Sequence, residues 1–171
     1  MKKSLLMVLF IACVVTFSNA QQKNKFGHLS STDLLEAMPD KEAAQKTLQD
    51  FSKQLEDQLT AMQEELEKKY NEYLEKKDNM TELIKKNKEE ELMSIQQRIQ
   101  TFQTNAQQEL QKKEQELLKP IIDKAKKAIE DVAKENGYTY IFDTASGSLL
   151  YFPKDSDDIL PLVKKKLGIT K

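Results

Sequence analysis

The chain has no tryptophan, one histidine (His28), one arginine (Arg98) and one cysteine (Cys13). None of its four glycines lies between His28 and Asn136. Each shortage excludes something. There is no glycine-rich phosphate loop, and a lone histidine in an extended segment reads as a packing or surface residue, not as a base. A surface that reads phosphate segregates positive charge and favours arginine. Here lysine alternates with glutamate, 27 basic residues against 28 acidic ones, so no nucleic-acid partner is expected.

The start of the chain reads as an address. Lys2 and Lys3 form a basic region, Leu5 to Val15 is an apolar run of eleven, and Ser18-Asn19-Ala20 offers small residues for cleavage. Residues 1–20 are therefore expected to be a signal peptide, cut after Ala20 on export. A membrane anchor fits less well, because crossing a bilayer takes about 20 apolar residues. Lipidation at Cys13 would cut the apolar run in its middle, with Val14 and Val15 still apolar beyond it. Losing Lys2 and Lys3 leaves 25 basic residues against 28 acidic, a net charge of −3. Cleavage also removes the only cysteine, so stability has to come from helix packing or association.

What is present is helix. Glu, Lys, Gln, Leu and Ala fill His28 to Asn136, where Pro39 and Pro120 are the only prolines. Apolar residues recur from Ala44 through Leu48, Phe51, Leu55, Leu59, Met62 and Leu66 to Tyr70 and Tyr73, at steps of three and four. Leu48, Leu59 and Tyr70 are eleven apart, a period that gives a nearly straight coil. A second stripe runs from Leu92 through Ile95, Ile99, Phe102, Ala106 and Leu110 to Val132. Between the stripes, Asn79 followed by Glu82 reads as a helix cap and predicts a turn. Two antiparallel helices of 38 residues, each about 57 Å long, would start and finish beside the two prolines, with a kink at Pro120. Glu64 with Lys68, Glu72 with Lys76, Glu82 with Lys86 and Glu109 with Lys113 have the spacing of helical ion pairs.

Asn136-Gly137 should end the returning helix, since glycine takes the left-handed C-terminal position freely. Tyr138, Tyr140 and Phe142 then alternate on one strand face. Leu149 to Phe152 is expected to return as its hairpin partner, and Phe26 to Leu29 to add a strand, followed by a short helix capped by Ser30 or Ser31. A last helix should begin near Asp157 or Asp158 and stop at Gly168. So small an aromatic sheet leaves open edges and a marginal core, which predicts association of several chains through it. Phe26, Leu29, Tyr138, Tyr140, Ile141, Phe142, Leu149, Leu150 and Tyr151 are the candidate interface.

The segments "FGHLSSTDLLEAMPD", "EEELMSIQQRIQTFQTNAQQELQKKEQELLKPIIDKAKKAI" and "VAKENGYTYIFDTASGSLLYFPKDSDDILPLVKKKLGI" resemble the Skp/OmpH family of periplasmic chaperones. The resemblance covers essentially the whole mature chain and is most specific in the last segment. It implies an α+β, mostly α fold: a long antiparallel α-helical hairpin, a coiled-coil tentacle, projecting from a small β-rich trimerisation body in a jellyfish-like homotrimer. The implied organisation is a signal peptide at 1–20, an N-terminal strand and short helix of the body at 21–39, a helical-hairpin arm at 40–119, and the end of the returning helix, β-hairpin and C-terminal helix at 120–171. The implied activity is that of a holdase, not an enzyme. It needs no ATP or other cofactor and keeps unfolded outer-membrane proteins in a cavity between the arms before the outer-membrane assembly machinery receives them. Known members are strongly basic while this mature chain is mildly acidic, which weakens any expectation of contact with the membrane or with lipopolysaccharide.

A holdase needs many exchangeable apolar contacts, and methionine suits them because its side chain is flexible and polarizable. Met62, Tyr70, Tyr73, Leu74, Met80, Leu83, Ile84, Met93 and Ile95 lie in the outer half of the expected arm and are the candidate client-binding residues. Met62, Tyr70 and Tyr73 serve equally well as seam residues. Glu89-Glu90-Glu91 fans over several helix faces and reads as a solvated run, not as a metal cluster. Asp155-Ser156-Asp157-Asp158 lacks the glycine and glutamate of a calcium loop and reads as a helix cap. The alternative function is an envelope spacer or adaptor whose coiled-coil arm binds one defined partner.

Overall fold

A computed structural model describes residues 24–169. The expected signal peptide, its cleavage after Ala20 and Cys13 lie outside the described residues. In chain order the elements are β1 (Phe26–Leu29), α1 (Ser31–Ala37), α2 (Pro39–Lys76), a 3-10 turn (Lys77–Asn79), α3 (Glu82–Glu135), β2 (Tyr140–Asp143), β3 (Asp157–Asp158) and α4 (Leu160–Lys166). They fall into two units, one of residues Leu35–Lys126 and one of the segments on either side of it. No helix among the described residues is long and apolar enough to cross a membrane.

The first unit is an antiparallel helical hairpin. Pro39 opens α2 from an extended Met38, where its missing N–H has no helical partner to lose. The 38 residues of α2 end in the 3-10 turn. The cap of α3 is Thr81, whose hydroxyl accepts the Ile84 N–H at 3.4 Å. Asn79, the expected cap, instead closes the 3-10 turn. Contacts across the hairpin fix its register: Lys124 with Asp40, Arg98 with Glu65, and Lys69 with Glu91, one number falling as the other rises. Ala44, Leu92, Ile95, Ile99, Ile121 and Ala125 are buried in the seam. The α3 helix runs on through Pro120 for 54 residues. None of the four expected ion pairs forms among the described residues; Glu82 bonds Lys85 and Lys86 pairs with Glu90.

The second unit holds the sheet. Its α3 segment ends at Gly137, φ 70°, where the Tyr138 N–H reaches Ala133 O at 2.9 Å, the bonding of a left-handed helix stop. The strand order is β2-β1-β3 and both pairings are parallel, with Phe26 opposite Tyr140 and His28 opposite both Phe142 and Asp158. This corrects the expected hairpin: Leu149 to Phe152 forms no strand with β2. The cause lies at Asp143. Its carboxylate accepts the Ser31 N–H and hydroxyl at 3.0 and 2.7 Å and the Ala145 N–H at 3.0 Å, while the Thr144 N–H bonds Leu29 O. These bonds hold the end of β2 to the end of β1 and turn the chain out of the sheet. The last helix also begins later than expected, because Asp157 and Asp158 form β3; Asp158 still accepts the Leu160 N–H at 2.9 Å. Ser30 caps α1 through the Asp33 N–H, and α4 stops at Gly168, φ 74°.

Leu29, Leu34, Ala128, Val132, Ile159 and Val163 form the core of this unit. The strand "FGHL" alternates, sending Gly27 and Leu29 inward and Phe26 and His28 to the other face. Tyr138 precedes β2 and lies against Gly27 on the core side with Ile141 and Ile159, away from Tyr140 and Phe142. A Cβ on Gly27 would meet the Ile141 and Ile159 side chains at 3.0 Å and the Tyr138 ring at 3.1 Å. Gly27→Ala should therefore lower stability by about 1–3 kcal/mol through overpacking. The entropic gain from replacing glycine, about 0.4–1 kcal/mol, is too small to reverse this. Urea unfolding checks it: an unchanged midpoint would mean that the three side chains move aside freely.

Candidate association and client-binding surfaces

On the outer face of the sheet, Phe26 stacks on Tyr140 with ring centroids 5.9 Å apart and lies 6.0 Å from Phe142. Nothing among the described residues covers this cluster; Phe26, Tyr140 and Phe142 are 50%, 59% and 42% exposed. Beside it is an apolar cavity of about 250 Å3 whose walls include Phe26, Phe142, Leu149, Tyr151 and Phe152. Leu150 and Tyr151, on the segment that pairs with no strand, are 96% and 78% exposed. Of the nine interface candidates, Phe26, Tyr140, Phe142, Leu150 and Tyr151 are thus on the surface and Leu149 lines the cavity. Leu29 is buried, and Ile141 and Tyr138 are half-buried on the core side. Phe152 was missing from the candidates, although it closes the apolar run that contains them.

His28 packs its ring 4.6 Å from Phe152, with Nδ1 3.2 Å from the Ser156 hydroxyl. That hydroxyl already donates to Pro153 O at 2.7 Å, so the imidazole N–H is the donor to Ser156. The histidine is thereby occupied in holding the 153–156 turn against β1. Asp143 lies at the end of β2, where partial desolvation opposes its charge. The Ser31 hydroxyl and N–H and the Ala145 N–H outweigh that desolvation and hold its carboxyl below the usual range.

On the hairpin, Tyr70, Leu74, Leu83, Ile84 and Met93 are exposed, and Leu83 reaches 70%. Met62, Tyr73 and Met80 are half-buried. Ile95 is 2% exposed and belongs to the seam, so it leaves the client-binding set. Three glutamates in a row go three ways: Glu89 accepts the Tyr73 hydroxyl at 2.6 Å, Glu90 pairs with Lys86, and Glu91 bonds Lys69 across the hairpin and Lys88 at 2.8 Å. No group of three His, Cys, Asp or Glu among the described residues is arranged to hold a metal ion. Asp157 takes the Tyr138 hydroxyl at 3.0 Å.

A profile of the family described as "Outer membrane protein (OmpH-like)" matches residues 25–167. The fold is similar to that of a solved structure from Caulobacter crescentus CB15, described as a candidate OmpH-like outer membrane chaperone. The TM-score is 0.73 at 18% identity, over 84% of this chain and 83% of that one. None of the curated proteins searched matches the chain. The fold is thus that of a mostly helical protein with one long hairpin and a small sheet. The chain belongs to the OmpH-like family.

The Glu91 contacts carry a pH dependence. Hydrogen bonds from Lys69 and Lys88 lower its pKa from 4.5 to about 2, and the same bond raises that of Lys69. A carboxyl depressed by folding stabilises in full above its unfolded pKa and loses that contribution as the pH falls towards the folded value. The stability difference between the native chain and Glu91→Gln should hold steady from about pH 7 to 5 and vanish as the pH nears 2. A difference that does not vary with pH would remove the ion pair from the account.

Proposed function

We propose that the protein is an ATP-independent periplasmic holdase that acts as a homotrimer and keeps unfolded outer-membrane proteins between its arms until the outer-membrane assembly machinery receives them. The observation that carries this reading is the outer face of the sheet. Phe26, Tyr140 and Phe142, with Leu150 and Tyr151 beside them, form an apolar surface that the described chain leaves uncovered. Exposed clusters of this kind mark sites of association, and the free edge of β2 offers unpaired backbone groups next to it. Joining copies there would bury those rings. Membership of the OmpH-like family and the likeness to the Caulobacter structure support the reading.

Holding a client differs from binding a single partner. A chain destined for a membrane barrel alternates apolar residues, and weak contacts at Tyr70, Leu74, Met80, Leu83, Ile84 and Met93, repeated over several arms, add up through effective concentration. Sedimentation of the mature protein should give a trimer. Tyr140→Lys with Phe142→Glu should dissociate it while leaving the far-UV helical signal in place. The trimer should keep several unrelated urea-unfolded barrel polypeptides soluble at stoichiometric amounts. A monomer, or protection of only one client, rejects the reading. Met80, Leu83 and Ile84 changed together to Ser should weaken retention with the trimer intact; undiminished retention would exclude the arm's tip from client binding.

A further inference from the structure

Along α3, a residue directly after a seam position lies about 100° round the helix, at the seam's edge. From Ile95 to Leu110 every such edge position is glutamine: Gln96, Gln100, Gln103, Gln107 and Gln111, at steps of 4, 3, 4 and 4. All five are exposed. The row continues without a charge to Met93 on one side and through Gln115, Leu118 and Ile122 on the other, in a chain in which 32% of residues are charged. From Leu92 to Gln108 the only charge is Arg98, off the row, and Glu109, Lys112, Lys113, Glu114, Glu116 and Lys119 lie off it beside its far half. The side-chain hydrogen bonds in the middle of this stretch run from Thr101 and Thr104 to backbone carbonyls, which leaves the five amides turned to water. At its far end the row opens into a groove of about 410 Å3, lined by Gln115, Leu118 and Ile122 with four charged residues around them.

The corresponding edge of α2 (Gln45, Gln49, Ser52, Glu56, Thr60, Gln63 and Glu67) mixes amides with charge, so solubility alone does not require an unbroken row of amides. A glutamine side chain carries a donor and an acceptor, as a peptide group does. The five recur every 5.6 Å or so along the helix, and same-side peptide groups of an extended strand recur about every 6.6 Å. Three rotatable bonds per glutamine absorb that difference of about 1 Å per step. The match is also one of charge, because a neutral partner docking here strips water from amides instead of from ions, which costs far less.

We propose that this row is a track for one extended, unfolded polypeptide segment. The glutamines bond its peptide groups, and Met93, Leu118 and Ile122 take apolar side chains towards the two ends. The inference rests on the holdase reading and specifies how the client is held: by its backbone, which every unfolded chain shares.

The test is the mature protein carrying Gln96→Glu, Gln100→Glu, Gln103→Glu and Gln107→Glu. Its control, Gln97→Glu, Thr101→Glu, Thr104→Glu and Gln108→Glu, adds the same charge to the same stretch away from the row. Glutamate is as good a helix former as glutamine, and circular dichroism and sedimentation check that both variants keep helix content and oligomeric state. The probe is a urea-unfolded barrel polypeptide, labelled and diluted into buffer. The row variant should bind it about tenfold more weakly or worse, through several lost hydrogen bonds of modest individual worth, and the control should match the wild type. Equal binding by wild type and row variant removes the track and leaves the holdase reading standing. Equal loss in the control assigns the effect to net charge and overturns the track. A change of oligomeric state in the row variant makes the row a contact between copies, which also overturns it. If the wild type itself binds no probe, the holdase reading falls and takes the track with it.

Discussion

The structure depends on a sheet that has only one covered face. Three parallel strands of four, four and two residues cannot wrap around a core. Alternation along "FGHL" therefore decides what is inside. Gly27 and Leu29 meet Ile141, Ile159 and Val163, and the absence of a side chain at position 27 lets Ile141, Ile159 and Tyr138 close over the strand. The same alternation sends Phe26, Tyr140 and Phe142 outward, where the chain has nothing left to place over them. Burying the exposed half of each of those rings would be worth about 1 kcal/mol, a useful gain for a domain with no disulfide. The exposed face is the direct cost of an inner face so well filled.

The helical hairpin meets a different constraint. A two-helix seam buries one narrow stripe from each helix, and in this one the fully buried positions are few and mostly on α3. Leu48, Phe51, Leu55, Leu59, Met62 and Leu66 on α2 are only half-buried. Polar contacts across the seam therefore carry more of the register than in a globular core. Lys69 on Glu91, Tyr73 on Glu89 and Arg98 beside Glu65 lock the outer half, and Lys124 on Asp40 the other end. Exposed ion pairs add little stability each, but pairs between helices choose one register among several that the apolar stripes would tolerate.

Local chemistry was legible in the sequence and pairing was not. Proline at the first helical position, Gly137 and Gly168 at helix ends and the three-four stripes act within a few residues of themselves, so Pro39–Lys76 could be read to within a residue. Thr81 displaced Asn79 as the cap because the 3-10 turn consumed two further residues, a difference that composition does not carry. The parallel sheet was hidden because the partner of β2 lies more than a hundred residues upstream, and a hairpin is the simpler inference from two strands joined by Ser-Gly. What prevents the hairpin is Asp143, a single side chain whose three donors are known only once the chain is folded. The expected helical ion pairs failed for a related reason. Their lysines and glutamates had other partners or water within reach, and spacing alone does not rank such choices. The glutamine row went unread because apolar and charged positions were tracked, while a regular absence of charge shows in neither pattern.

Seam and surface follow from one economy. A helix that buried more than a narrow stripe would need a third helix against it and would lose its open flanks. An arm with one apolar stripe inward, charge outward and a neutral border between them keeps all three chemistries within a single turn of helix. Apolar side chains at Leu83, Ile84 and Met93 stay soluble because charged neighbours flank them, so the patches are too small and too dispersed to drive aggregation. The amides between Met93 and Leu118 extend that border without adding stickiness, since a neutral polar group gains little from self-association in water. If the row holds a client as proposed, the strength of holding is set by how long that client stays extended, and a client that folds withdraws its own peptide groups and releases itself.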